Sequence, residues 1–137
     1  VLLYGADKDV CEWVSAQLFG DTDGFDEKSR AIGVIDKDKI IAGVVYNNYI
    51  PKITIEMSVA SVDKRWCNRH NLRAFFKYPF TELNLGRVQT LCSAKDEGVI
   101  MFNKKLGFIQ EGYHRMAWPL GGDAVSFGML KPECRWL

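Results

Sequence analysis

Apolar and polar positions along the chain follow two periods, one helical and one strand-like, and polar clusters separate the segments. Residues 1–4 form a short apolar run closed by Gly5. Val10, Trp13, Val14 and Leu18 then recur at helical spacing, which predicts a helix opened by Asp7 or Asp9 and stopped by Gly20. Residues 21–29 (DTDGFDEKS) are polar and read as a loop. The β-branched runs 31–35 and 40–46 flank Asp36-Lys37-Asp38-Lys39, the pattern of a hairpin. Asn47 and Asn48 read as punctuation, and Pro51 precedes a third strand over 53–60. There Ile53, Ile55, Met57 and Val59 alternate with Thr54, Glu56 and Ser58 on the opposite face.

A helix is expected from about residue 61 to Lys77, with Leu72, Phe75 and Phe76 on its core side. Arg69, Arg73 and Lys77 recur every four residues as a basic stripe, and Pro79 marks the end at Tyr78. Arg87–Ser93 reads as a strand. Asp96 suits the cap of a helix through Leu106, and Gly107 suits its stop. Residues 108–118 are strand-like, Gly121-Gly122-Asp123 makes a turn, and residues 124–130 return as the last strand. Strand, helix, three strands, helix, strand, helix and two strands describe a mixed α/β sheet flanked by helices. The helix between 53–60 and 87–93 is long enough for a right-handed crossover, so these two strands are expected to be parallel neighbours.

Composition narrows the classes. A chain of 137 residues suits one domain over 1–137, and 47% hydrophobic and 12% aromatic residues supply a core that disordered chains lack. Eighteen basic against 17 acidic residues leave a net charge of +1, which gives no overall attraction to nucleic acid or membrane. No apolar run reaches the roughly 18–20 residues that span a bilayer, and residues 1–4 lack the features of a signal peptide. A soluble, cytoplasmic protein is expected. Cys11, Cys67, Cys92 and Cys134 form no CxxC pair, and only His70 and His114 could join them. No metal site is expected from that spacing, and the thiols are expected to be reduced. The four tryptophans and four methionines read as core or interface anchors.

Residues 96–112 read DEGVIMFNKKLGFIQEG. Lys105-Leu106-Gly107-Phe108 followed by Glu111-Gly112, after a strand and a helix, resembles the carboxy-terminal signature of the GCN5-related N-acetyltransferases (GNAT). The resemblance extends over about residues 32–130. Arg65-Trp66 with Arg69, Tyr78-Pro79-Phe80 and the final residues 127–136 resemble a branch of small acetyltransferase-like proteins of phages and bacteria. The resemblance implies a GNAT-like sheet with splayed central parallel strands, acetyl-CoA as co-substrate and an amine acceptor. An acyl-CoA asks three things of a protein: strand-like backbone for its pantetheine amides, N–H groups at a helix start for its pyrophosphate, and a donor near its thioester carbonyl.

By resemblance, Met57, Ser58 and Val59 meet the pantetheine. Arg65, Trp66, Cys67, Asn68, Arg69 and His70 form the pyrophosphate loop. The usual loop is Q/R-x-x-G-x-G/A; here Arg65 holds the first place, while Asn68 and His70 stand where small residues are expected. Without the resemblance, Lys64, Arg65, Arg69 and Arg73 would read as a solvated helix face. Asp96 replaces the family's asparagine at the last helix, and Asn103 replaces the tyrosine that protonates the leaving thiolate. Glu56, the only carboxylate on the central strand, resembles the strand glutamate that acts as base; without the resemblance it reads as an exposed strand residue or a structural partner of a nearby Arg or Lys. Tyr113 and His114 are candidate substitutes for the missing acid, or residues that line the acceptor pocket or pack. Residues 21–29 and 118–123 are expected to border that pocket. The altered loop and the missing tyrosine leave a second reading open: a non-catalytic binding or structural module, in the phage branch a virion or host-interacting component. The chain's end, Arg135-Trp136-Leu137, suits docking on its own domain or on another copy.

Overall fold

The computed structural model describes residues 1–137. Its elements in chain order are β1 (Leu2–Leu3), α1 (Asp7–Phe19), β2 (Arg30–Asp36), β3 (Lys39–Ile50), β4 (Thr54–Ser61), α2 (Arg69–Lys77), β5 (Arg87–Ser93), α3 (Glu97–Leu106), β6 (Ile109–His114) and β7 (Ala124–Leu130). The strands form one seven-stranded sheet in the order β1-β2-β3-β4-β5-β7-β6. Every neighbouring pair is antiparallel except β4 and β5, which run parallel through the crossover helix α2. The expected mixed sheet and its parallel pair are therefore present.

Period-2 alternation divides the core between the two faces. On one, α1 buries Val10 and Val14 against Ala31, Val45 and Ala60. The helix sits close because Gly43 has no side chain: a Cβ there would lie 2.8 Å from Val14 Cγ2 and 2.9 Å from Val10 Cγ1. On the other face, Leu72, Phe75 and Phe76 of α2 and Leu106 of α3 close over Ile32, Val44, Ile55, Met57, Val88, Phe127 and Met129. This larger layer supplies most of the buried apolar surface, the dominant favourable term in folding.

Several boundaries differ from the sequence reading. β3 runs to Ile50 instead of stopping at Tyr46, because Asn47 and Asn48 stay in the strand through a register shift against β4. The helix expected from residue 61 is two pieces. Asp63 caps a short 3-10 turn over Lys64–Trp66 by accepting the Arg65 N–H at 2.9 Å, and Asn68 caps α2 by accepting the Asn71 N–H at 2.9 Å. Pro79 does not end the helical path. A wide π-type turn over Tyr78–Glu82 carries it on, with Leu83 N–H donating to the Tyr78 carbonyl at 2.9 Å.

β6 stops at His114, not Trp118. Met116 takes a φ of 54°, and the following loop closes on itself through Trp118 N–H to the Gly122 carbonyl at 3.1 Å. Neither Asp7 nor Asp9 caps α1. Ala6 holds that position, and the Asp7 carboxylate accepts the Ala31 N–H at 2.9 Å instead. Met57 and Met129 are core residues as expected, but Met101 and Met116 are exposed. No helix is long and apolar enough to cross a membrane.

Candidate active site

The parallel ladder between β4 and β5 is short. It pairs Thr54 with Arg87, Ile55 with Val88 and Glu56 with Gln89, and then the strands part. Val62 N–H donates to the Ile41 carbonyl at 2.9 Å, which turns the backbone of alternate β4 residues toward β3 and that of Met57 and Val59 toward β5. The Thr90 hydroxyl donates to the Met57 carbonyl at 2.7 Å. The N–H and carbonyl of Val59 therefore face the gap, whereas the backbone of Ser58 faces β3.

Where the strands part, a cleft of about 400 Å³ opens, lined by Glu56, Arg87, Gln89, Thr90, Leu91, His114, Ala117 and Ser126. Glu56 Oε2 accepts from Asn47 Nδ2 at 3.1 Å and from Asn48 Nδ2 at 2.9 Å. Arg87 forms a two-pronged pair with Glu111, at 2.6 and 3.0 Å, across Gly128. The guanidinium holds the Glu111 carboxyl below its ordinary value, so this cation is already matched. His114 Nε2 lies 2.8 Å from Ser126 Oγ. The site thus brings Glu56 and His114 to one cleft. Tyr113 does not line it: its hydroxyl donates to Asp123 Oδ2 at 2.5 Å, and Asp123 also accepts the Met116 N–H at 2.8 Å. That arrangement braces the loop between β6 and β7, and the neighbouring carboxylate pushes the tyrosine's pKa up. The α1–β2 and β6–β7 loops meet through Phe19, whose ring lies 5.8 Å from Phe25 and 6.0 Å from Trp118.

The loop between β4 and α2 is less open than its sequence suggests. Arg65 lies 2.7 Å from Asp63 and 2.8 Å from Asp36, so its charge is shared by two carboxylates. The Arg65 side chain, and then its backbone N–H, lower the Asp63 carboxyl to about 2. Trp66 is buried between Phe75 and Phe102, at ring distances of 5.9 and 5.8 Å. The Cys67 N–H donates to Lys64 and the Asn68 N–H to Trp66 within the loop. Arg69 faces away over the Trp136 ring, 5.7 Å from its centroid, and donates to the Arg135 carbonyl at 3.3 Å. The first two backbone N–H groups of α2, at Arg69 and His70, remain at the capped helix start, where a helix favours anions.

Beside this loop a cavity of about 490 Å³ is bordered by Asp36, Arg65, Asn68 and His70. Asp96 is committed to α3, accepting the Val99 N–H at 3.1 Å. Asn103 is buried and lines neither cavity. No three His, Cys, Asp or Glu side chains converge as a metal would require.

Acetyl-CoA fits this arrangement in part. The parted strands offer the Val59 backbone, and α2 offers two N–H groups, but Arg65 is spoken for. Sequence reasoning missed Asn47, Asn48, Thr90 and the Arg87–Glu111 pair. Of these, Asn47 was within reach, because counting back across the turn at Pro51 sets it opposite Glu56.

No protein-family model matches the chain, and no curated protein matches it in sequence. Solved structures do match. A protein described as a probable acetyltransferase superposes with a TM-score of 0.66 at 19% identity, covering 78% of this chain and 63% of that one. A variant of spermidine N-acetyltransferase SpeG from Vibrio cholerae gives 0.66 at 21% identity, covering 82% and 69%. The ribosomal-protein-S5-alanine acetyltransferase of Vibrio fischeri gives 0.62 at 20% identity, covering 80% and 64%. The chain therefore spans under two thirds of the length of two of these three proteins. With the strand order, the one parallel pair and the parting of β4 from β5 described above, these superpositions show that the chain has the GCN5-related N-acetyltransferase fold.

Proposed function

We propose that the chain transfers an acetyl group from acetyl-CoA to an amine. The observation that carries this reading is the cleft at the end of the parallel ladder, with the Glu56 carboxylate held at its wall. Acetyl-CoA, when bound, supplies the acetyl thioester. The Val59 backbone pairs with the pantetheine in the manner of an added strand, and the α2 start receives the pyrophosphate. Glu56 takes the proton that the attacking amine releases as its nitrogen bonds to the carbonyl carbon and the carbon–sulfur bond breaks. A base placed this way is worth about 10²- to 10⁴-fold. His114, anchored on Ser126 at the same cleft, returns a proton to the departing sulfur. Two proteins of like fold are described as acting on spermidine and on an alanine of a ribosomal protein, which supports an amine as the acceptor class.

A second reading, binding without transfer, draws on the loop between β4 and α2. Its N–H groups at Cys67 and Asn68 are bonded internally, and Arg65 is matched by Asp36 and Asp63. Calorimetry with acetyl-CoA and CoA, followed by a CoA-release assay over polyamines, aminoglycosides and peptide amino termini, separates the two. Binding with release, lost in Glu56→Gln while binding persists, supports transfer. Binding without release for any amine favours the second reading. No heat of binding at millimolar CoA sinks both.

A further inference from the structure

We propose that Asn47 and Asn48 are positioning residues that aim the Glu56 carboxylate into the cleft and leave one of its oxygens for the amine. The inference rests on the transfer reading above. Successive side chains of a regular strand point to opposite faces, so Asn47 and Asn48 should not reach the same group. Here they do. The register of β3 on β4 shifts between Asn47 and Ile50, and Asn48 takes a φ of 52°. Asparagine is among the few residues other than glycine that adopt this left-handed conformation readily.

The bulge turns both amides onto Glu56 Oε2, at 3.1 and 2.9 Å. Ser58 Oγ donates to Asn47 Oδ1 at 3.4 Å, which orients the first amide with its NH₂ toward Glu56. No hydrogen bond within the chain engages Oε1, and Glu56 lines the cleft. A lone glutamate on a half-covered strand would sample several rotamers. Two donors on one oxygen fix χ angles and leave the other oxygen as the acceptor for an incoming N–H. Both donors are neutral, so the clamp orients the carboxylate without supplying the cation that would neutralise it.

The test uses Asn47→Ala together with Asn48→Gly, because glycine keeps the left-handed backbone while removing the amide. In the CoA-release assay, the double variant is expected to lose about tenfold or more in kcat with the KM for acetyl-CoA unchanged. In a Glu56→Ala background the same pair should change kcat by less than about twofold, since the clamp then has nothing to aim. Wild-type turnover in the double variant, or an equal loss in both backgrounds, overturns the proposal.

Nitrogen-15 NMR of the side-chain amides separates this from the transfer reading. If wild-type protein turns over no amine, the transfer reading fails on its own. The amide signals of Asn47 and Asn48 then decide the clamp: a shift on Glu56→Ala supports it, and unmoved signals overturn it.

Discussion

Tyr46 to Phe is the substitution whose cost follows most directly from the geometry. Pro79 has no N–H, so the carbonyl four residues before it, on Phe75, loses its usual helical donor. The Tyr46 hydroxyl donates to that carbonyl at 2.6 Å from β3, and both residues are 2% exposed. Phenylalanine keeps the ring against Tyr78, whose centroid lies 4.7 Å away, but leaves the Phe75 carbonyl with neither donor nor water. A buried acceptor abandoned in this way costs about 1–3 kcal/mol. For a chain of this size that corresponds to a melting temperature lower by about 4–12 °C.

The assay is urea denaturation with a thermal melt, and it has an internal control. Pro79→Ala restores an N–H at the position that can serve Phe75. Combined with Tyr46→Phe it should recover part of the loss, giving a coupling of about 0.5 kcal/mol or more. Two results refute the reasoning: a Tyr46→Phe protein within about 0.5 kcal/mol of wild type, or a Pro79→Ala effect identical in both backgrounds.

Three further outcomes are expected. Asp36→Asn removes one of the two carboxylates that share Arg65, so calorimetry should show tighter CoA binding at low salt, with the gain shrinking as salt rises and absent in an Arg65→Ala background. Gly43→Ala pushes a methyl to within 3 Å of Val10 and Val14 of α1 and should cost about 1–3 kcal/mol in denaturant unfolding. Stability should be flat across neutral pH and fall on both sides. On the acid side the Asp63 carboxyl, at about 2, and the Glu111 and Asp123 carboxyls, also lowered by their partners, contribute stability above the unfolded values near 4. That contribution is lost as pH drops toward 2. On the alkaline side burial raises the Cys11 and Cys92 thiols to about 11, so the unfolded chain sheds these protons first and stability falls between about pH 8.5 and 11. Thermal melts across pH check this; a curve that keeps rising above pH 9 would contradict the burial of both thiols.

Period alone carried the element order. α1 lays Val10 and Val14 on one face of the sheet, and β4 sends Ile55 and Met57 into the layer on the other, so each element shows its own period in the sequence. Boundaries slipped where a side chain, not the backbone pattern, decides. Asn47 and Asn48 resemble a break because asparagine is rare in strands, yet Glu56 across the ladder holds them in place. The segment after β4 reads as one helix by its apolar spacing, but Asp63 and Asn68 each cap a separate turn. Pro79 reads as a stop because the donor that rescues the turn, Tyr46, lies 29 residues earlier than the carbonyl it serves. The site shows the same division. Glu56 was legible as the lone acid of its strand. The matching of Arg65 was not, because Asp36 sits 29 residues away on β2.

The site owes its place to one reversal of strand direction. In an antiparallel sheet the groups at a strand's end are met by a turn. Because β5 runs parallel to β4, the chain must instead return along the outside of the sheet, and α2 does so from the carboxy-terminal end of β4. The start of α2, with its unpaired N–H groups, thus lies at the end where β4 loses its partner. For the same reason α3, which follows β5 directly, begins at that end too. The pairing stops after Glu56 and Gln89, and at the next step Thr90 uses a side-chain hydroxyl, not its backbone, to satisfy Met57. That exchange lets the strands diverge without leaving the Met57 carbonyl bare. Beyond it the Val59 backbone has no neighbour on that side, while Glu56 stands at the last paired position with its carboxylate on the α1 face. If β5 were antiparallel, β4 could pass into it through a hairpin, α2 would not be needed as a crossover, and helix start, unpaired backbone and carboxylate would have no reason to meet.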